Sequence, residues 1–297
     1  MNSCYFCSSS HLRASKGQRP LIFQGKKYLF LYCSDCSGFS MHPKLDNKEI
    51  EMLYSIDYIE KNPAIAEIET PQESKFANLY NYLNSQKNVQ PRSFLDYGCG
   101  SNPETLKFTN CNNFVSYGME LVSSVREIAA INSNSEILSR EEVLEKRSFF
   151  DFVFLGDVLE HLVDPVAELT ELRSTISANG VIIAQGPLQG APTCLQIVVQ
   201  VFSAMTPKRT SNFPPYHVSL ASVKSMKAMF KSAGLEIDLL HVYEVFWPAP
   251  TFKEFAKSPS IRNLLLYLSK KIDILFSSFL PNFGSVYFIV AKPIAAR

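Results

Sequence analysis

An excess of charge of either sign is absent from this chain: 29 lysines and arginines stand against 28 aspartates and glutamates over 297 residues. A net charge of +1 sets up no field that would gather a polyanion, and no basic stripe is interleaved with aromatics, so no nucleic-acid partner is expected. Long apolar runs are missing as well. No charge occurs between Arg173 and Lys208, but Asn179-Gly180, Gly186-Pro187, Gln189-Gly190 and Pro192 break that stretch into a strand, a loop and a short helix. A membrane span needs about 20 continuous apolar residues, so no transmembrane segment is expected. Met1–Ser10 is polar and cysteine-bearing, without the apolar core of a signal peptide, and the chain reads as soluble and cytoplasmic. A hydrophobic fraction of 46% is ample for a large core.

Four of the seven cysteines form two knuckles, Cys4-x2-Cys7 and Cys33-x2-Cys36. Two such knuckles bring four thiolates within reach of one tetrahedral ion, the geometry that zinc favours. Leu21-Ile22-Phe23 and Tyr28–Tyr32 flank Gly25-Lys26-Lys27 and read as a β-hairpin leading into the second knuckle. A closed Cys4 site would fold a module over residues 1–45 and take no part in chemistry. Rubredoxin-like iron and a redox dithiol pair are the alternatives to zinc. Cys99, Cys111 and Cys194 lack partners at such spacing and read as small side chains.

A polar connector follows over 46–90, with a helical stretch at Lys48–Tyr54. Phe76, Leu79, Tyr80 and Leu83 recur at helical spacing within Gln72–Ser85. From Ser93 the pattern alternates strand and helix, which specifies an α/β sheet. The strands are expected at Ser93–Asp96, Phe114–Met119, Glu136–Leu138, Phe150–Leu155, Val181–Ala184, Glu236–Leu240 and Ser285–Ala291. Helices are expected from about Pro103, at Val122–Ile131, at Pro165–Ile176 with proline in its first turn, and at Ser222–Ala233 before Gly234.

The first strand runs into Asp96-Tyr97-Gly98-Cys99-Gly100. Two glycines at alternate positions let the backbone turn tightly and approach a ligand. Glu120, at the end of the second strand, stands where a carboxylate can bind ribose hydroxyls. Asn102 occupies the third glycine position of a dinucleotide fingerprint, so that motif does not apply.

With D-Y-G-C-G and with Phe150-Asp151-Phe152-Val153-Phe154-Leu155-Gly156-Asp157-Val158-Leu159-Glu160-His161-Leu162-Val163-Asp164-Pro165, the chain resembles class I S-adenosylmethionine-dependent methyltransferases over roughly Pro91–Leu240 and a final strand. The resemblance implies a Rossmann-like seven-stranded α/β sheet over 91–297, with the connector covering the cofactor site. It assigns Asp96, Gly98 and Gly100 to the methionine end of S-adenosylmethionine, Glu120 with Leu121 to the ribose, Leu138 and Ser139 to the adenine, and Asp157 to the sulfonium side. Asp157, Glu160 and His161 form a D-x-x-E-H cluster beyond the fourth strand. His161 has a pKa suited to a general base. The cluster is also similar to the E-x-x-E-H of ubiquinone-biosynthesis and small-RNA methyltransferases, where it would hold Mg2+. Local capping of the turn by Glu160 and His161 is the third reading. His217, in Pro214-Pro215-Tyr216-His217-Val218-Ser219, is a second candidate base at the substrate mouth, beside Tyr216.

The cysteine ribbon before such a body resembles a bacterial family that methylates sugars and natural products at carbon or oxygen. A small-molecule acceptor is therefore expected, a sugar or polysaccharide precursor, nucleotide- or lipid-linked. A quinone-like or phenolic O-methyltransferase with a metal at the D-x-x-E-H cluster is the alternative, and a non-catalytic cofactor-binding or scaffold protein the reading of another class. Insertions are expected at about 187–218 and 244–281. In the second, Leu264, Leu265, Leu268, Ile272, Leu275 and Phe276 mark one apolar helical face beside Lys270 and Lys271. Packing of that face on the body, or a homodimer through it, is expected; a membrane-surface helix is the alternative.

Overall fold

A computed structural model describes residues 3–15, 20–53, 76–86, 91–205, 216–245, 249–257 and 259–294. Much of the connector expected at 46–90 lies outside the described residues. The chain opens with β1 (Leu12–Ala14), β2 (Leu21–Phe23), β3 (Lys26–Cys33) and β4 (Phe39–His42), then α1 (Asn47–Leu53) and α2 (Ala77–Ser85). An alternating stretch follows: β5 (Arg92–Tyr97), α3 (Glu104–Asn110), β6 (Phe114–Met119), α4 (Ser123–Ser133), β7 (Glu136–Leu138), α5 (Arg140–Glu145), β8 (Phe150–Gly156), α6 (Pro165–Leu172) and β9 (Ile176–Pro187). The remainder is α7 (Cys194–Met205), β10 (Ser219–Leu220), α8 (Val223–Ser232), β11 (Leu235–Tyr243), α9 (Phe252–Lys257), α10 (Ile261–Ser277) and β12 (Val286–Pro293).

Seven strands form the large sheet in the order β11-β12-β9-β8-β5-β6-β7. The pairs from β9 to β7 are parallel, and β12 and β11 close the edge antiparallel. This is the Rossmann-like seven-stranded fold that the resemblance implied. Because both faces are covered, the middle of β8 is an unbroken apolar run, Phe152–Leu155, rather than alternating with polar residues. Phe152 and Phe154 of β8 point to one face, where they meet Leu79, Leu83, Leu106 and Ala129 of α2, α3 and α4. Val153 and Leu155 point to the other, against Leu169 of α6 and Met226, Met229 and Phe230 of α8.

Cys4, Phe6, Cys33 and Cys36 join that second core, so the cysteine module packs directly on the body. Its hairpin forms as expected, with Leu21 opposite Tyr28 and Phe23 opposite Lys26. Unforeseen is its outermost strand. β10, from the far end of the body, pairs antiparallel with β4 through Ser219–Ser40 and Leu220–Phe39.

Two expectations need correction. The helix expected to reach Ile176 ends at Leu172, because Ile176 pairs with Phe150 as the first residue of β9. The apolar stripe of α10 does not pack on the body. Leu264, Leu265, Leu268, Ile272, Leu275 and Phe276 are 38–56% exposed, while Ser269, Lys270 and Asp273 are buried. Lys270 is paired with buried Glu244, and both Asp273 carboxylate oxygens accept backbone N–H bonds from Cys194 and Leu195 at the start of α7. These polar anchors set which face of the helix turns inward.

Candidate functional site

Parallel strands deliver their carboxyl ends to one rim of the sheet, and the chemistry-bearing residues lie there. At the end of β5, Gly98 (φ +86°) and Gly100 (φ +66°) adopt the left-handed conformation that suits glycine. A Cβ at Gly98 would stand 2.7 Å from the Val158 side chain, whereas one at Gly100 would meet nothing within 4 Å. The turn is therefore closed on one side and open on the other. Its amides at Gly98 and Cys99 donate to the Met119 carbonyl at 2.9 and 3.0 Å, which locks it to the end of β6.

Glu120 follows directly, and its carboxylate accepts from the Gly100 amide at 3.1 Å and the Val122 amide at 3.2 Å. Asp96, 5% exposed, accepts from the Thr105 hydroxyl in the first turn of α3. Leu121 is exposed at the rim. Leu138 is buried in the core, and Ser139 caps α5, its hydroxyl accepting from Glu142 while the Glu142 carboxylate accepts from the Ser139 amide. Asp96, Gly98, Gly100 and Glu120 thus cluster around one turn.

On the other side of the rim, β8 runs out through Asp157, a non-glycine residue at φ +54° whose amide donates to the Gln185 carbonyl at 2.8 Å. A single 3-10 turn, Leu159–His161, then presents Glu160 and His161. His161 Nδ1 donates to the Tyr216 carbonyl at 2.7 Å, and His217 Nδ1 donates to Gln189 Oε1 at 2.8 Å. Fixing both Nδ1 atoms as donors leaves Nε2 of each ring as a lone pair. The rings meet edge to face at 4.9 Å, and ligand atoms of Glu160, His161 and His217 lie within 4.8 Å of one another.

Burial holds both imidazoles neutral. It lowers the pKa of His161 against the opposing influences of the Tyr216 carbonyl and Asp157, and with help from neighbouring His161 it pushes His217 down to about 3. Tyr287, from the start of β12, completes the floor: a Cβ on Gly186 would meet its hydroxyl at 2.9 Å and Glu160 Oε2 at 3.3 Å. Glu160, His161 and His217 therefore come together, with Asp157 beside them. A neutral imidazole pair next to a buried carboxylate can take a proton from an acceptor, or can ligate a divalent cation.

The four knuckle cysteines also converge. Cys4 and Cys36 sulfurs are 3.4 Å apart, Cys7 and Cys33 sulfurs 3.7 Å, and all four lie within 4.8 Å. Tetrahedral zinc with Zn–S bonds of about 2.3 Å places its sulfurs about 3.8 Å apart, so the residues fit the ion. Hydrogen bonding from Cys36 favours a thiolate at Cys4, whose pKa falls to about 5 despite burial.

This module reaches the histidines through backbone. The Met41 amide donates to the Val218 carbonyl at 2.9 Å, and the Val218 amide donates to the Glu160 carbonyl at 2.9 Å. Residues 216–220 are thus clamped between β4 and the 3-10 turn. A small cavity lined by Phe6, Glu160, Pro187, Ser219, Met226 and Tyr287 lies at this junction.

Gln189 and Tyr287 were not among the residues picked out from sequence. A polar residue in the loop after an apolar strand was the available signal for Gln189; Tyr287 is masked by the apolar strand around it.

A family model described as a methyltransferase domain matches residues 71–240, more than half of the chain. Among curated proteins, none matches. Many solved structures share the fold. One is a chain from the complex between the Haloferax volcanii Trm112 methyltransferase activator and a methyltransferase, 12% identical, with a TM-score of 0.51 over 80% of this chain and 98% of that one. Another is Haemonchus contortus phosphoethanolamine N-methyltransferase 2 with phosphomonomethylethanolamine and S-adenosylhomocysteine, 13% identical, TM-score 0.50, over 92% of this chain and 71% of that one.

Proposed function

Since the chain belongs to the methyltransferase-domain family and is a class I S-adenosylmethionine-dependent methyltransferase, we propose that it methylates a hydroxylated small molecule, a sugar or a polysaccharide or natural-product precursor carried on a nucleotide or lipid. The observation that carries this reading is the convergence of the neutral His161 and His217 imidazoles and the buried Glu160 carboxylate at the rim of the sheet, across from the glycine turn.

In this reading Gly98 and Gly100 admit the methionine end of the cofactor, with Asp96 ordering the turn from below through Thr105. Glu120 receives the ribose hydroxyls, exchanging its present amide partners for them. Leu121 flanks the ribose, the backbone at Leu138 and Ser139 borders the adenine, and Asp157 faces the sulfonium. The acceptor attacks the methyl carbon in line with the methyl–sulfur bond. The acceptor–methyl bond forms, the methyl–sulfur bond breaks, and its electron pair stays on sulfur. His217 or His161 takes the acceptor proton at Nε2. Orientation and a dry site supply most of the acceleration, and the base contributes roughly 10²–10⁴-fold. Zinc on Cys4, Cys7, Cys33 and Cys36 is structural.

A second reading rests on the same cluster. Glu160, His161 and His217 form a two-histidine, one-carboxylate group that fits a divalent cation such as Mg2+, and a cation there would acidify a phenolic or quinol hydroxyl.

Calorimetric titration with S-adenosylmethionine and S-adenosylhomocysteine, beside Asp96→Ala, tests the cofactor half. Turnover with nucleotide sugars and with catechols, each with Mg2+ and with chelator, then tests the acceptor. We expect micromolar cofactor binding that Asp96→Ala weakens, and chelator-insensitive turnover of the sugars. Chelator-sensitive turnover of catechols alone would replace the first reading by the second.

A further inference from the structure

Helix α10 is inverted relative to an ordinary surface helix. Its charged and polar residues Lys270, Asp273 and Ser269 are buried, and its apolar stripe faces out. The inversion is built in rather than incidental, because Lys270 is sealed against Glu244 and Asp273 caps α7 with both carboxylate oxygens. Turning the helix over would leave Glu244 buried without its cation and the Cys194 and Leu195 amides without their acceptor. Helix α7 packs along α10 and carries no charged residue at all. Together they present Ile197, Val199, Val201, Leu264, Leu268 and Ile272 to solvent, each at least 38% exposed. Phe252, Ile261, Phe279 and Leu280 extend the same region of chain, and more than half of the large apolar side chains exposed among the described residues fall within it. Exposed apolar side chains concentrated in this way mark an interaction surface.

Charge decides what covers it. On α7 and α10, every exposed charge is basic, Arg262 and Lys271, and α9 adds Lys253 and Lys257 beside Glu254, whose side chain lies outside the described residues. The acidic partners, Glu244 and Asp273, are turned inward. A two-fold pairing of such a face would set cations of one copy against those of the other, whereas an apolar face rimmed by cations complements anionic lipid headgroups over acyl chains.

We propose that α7 and α10 form a platform that docks the protein on an anionic bilayer surface, with the apolar stripe in the interface and the basic residues among the headgroups. Its place in the fold follows from register. Pro187, Val286 and Tyr243 are aligned across β9, β12 and β11, at the same end of the sheet as Gly156 and the turn bearing Glu160 and His161. The chain leaves Pro187 for Gln189 and α7, and leaves Tyr243 for Glu244, α9 and α10. The platform and the candidate crevice therefore share one rim, so docking would hold the crevice close to the lipid surface. The docking itself does not depend on the identity of the acceptor.

Flotation of the full chain with phosphatidylcholine vesicles, with and without phosphatidylglycerol, tests this. We expect at least roughly tenfold enrichment on the anionic vesicles, decreasing as salt screens the basic rim. Leu268→Asp with Ile272→Asp, both at exposed positions, should abolish flotation and leave cofactor affinity unchanged, which shows that the variant is folded. Arg262→Glu with Lys271→Glu should remove the preference for anionic lipid. Failure of the unaltered chain to float with anionic vesicles would overturn the proposal. So would a dimer in sedimentation velocity that Leu268→Asp dissociates, since the face would then be covered by a second copy.

Discussion

The two sides of the crevice are built by different means. The glycine-turn side is one contiguous piece of chain, strand to turn to helix, closed by hydrogen bonds between residues at most about twenty positions apart. The histidine side is assembled from a 3-10 turn, a loop after β9, a strand of the cysteine module and the segment at Tyr216–Leu220. A local site tolerates distant damage. An assembled one inherits every weakness of the parts that hold it.

His217→Asn offers the largest expected contrast. It should lower kcat by roughly 10²–10⁴-fold while leaving cofactor affinity within a few-fold, as single-turnover rates and calorimetry would report. A parallel loss of cofactor binding would show that the two sides are one unit. Treatment with a chelator, or replacing Cys33 by Ser, comes next. Structural zinc supplies about 10–16 kcal/mol of apparent folding free energy in small modules. Without it β4 releases β10, and turnover should fall by about 100-fold or more with cofactor affinity largely kept; equal losses would break the distinction.

Glu120→Ala acts in the opposite sense. Losing a charge-assisted hydrogen bond costs about 1.5–3 kcal/mol, so cofactor Kd should rise roughly 10- to 100-fold with kcat at saturation little changed. The smallest effect expected is that of Gln189→Ala. It removes the acceptor that orients His217, worth about 1 kcal/mol, and should lower kcat about fivefold without altering acceptor KM. A change in KM alone would mean that Gln189 touches the acceptor rather than the histidine.

Legibility in the sequence divides along the same line. Asp96, Gly98, Gly100 and Glu120 could be read because glycine spacing and strand periodicity are local signals, and the alternation from Ser93 specified the parallel sheet. Glu160 and His161 were visible as neighbours, but their meeting with His217 depends on a path of 56 residues, part of it outside the described residues. Strand β10 is two residues long and carries no periodicity, so its pairing with β4 could not be read. The stripe on α10 was plain, yet periodicity shows only that a helix has two faces. Which one turns inward was decided by Glu244 and by the amides at the start of α7.

The pairing of β4 with β10 also imposes an order on biosynthesis. The cysteine module is complete in sequence by about residue 45, but its outer edge stays open until residue 220 has been made. At about 5–20 residues per second, that is an interval of roughly nine to thirty-five seconds. During it an unpaired strand edge and the four knuckle thiols stand exposed on the growing chain, open to wrong pairing and to oxidation. Early capture of the ion would cover the thiols and hold the hairpin until the last strand arrives, so the metal supply during translation would govern the yield of folded enzyme.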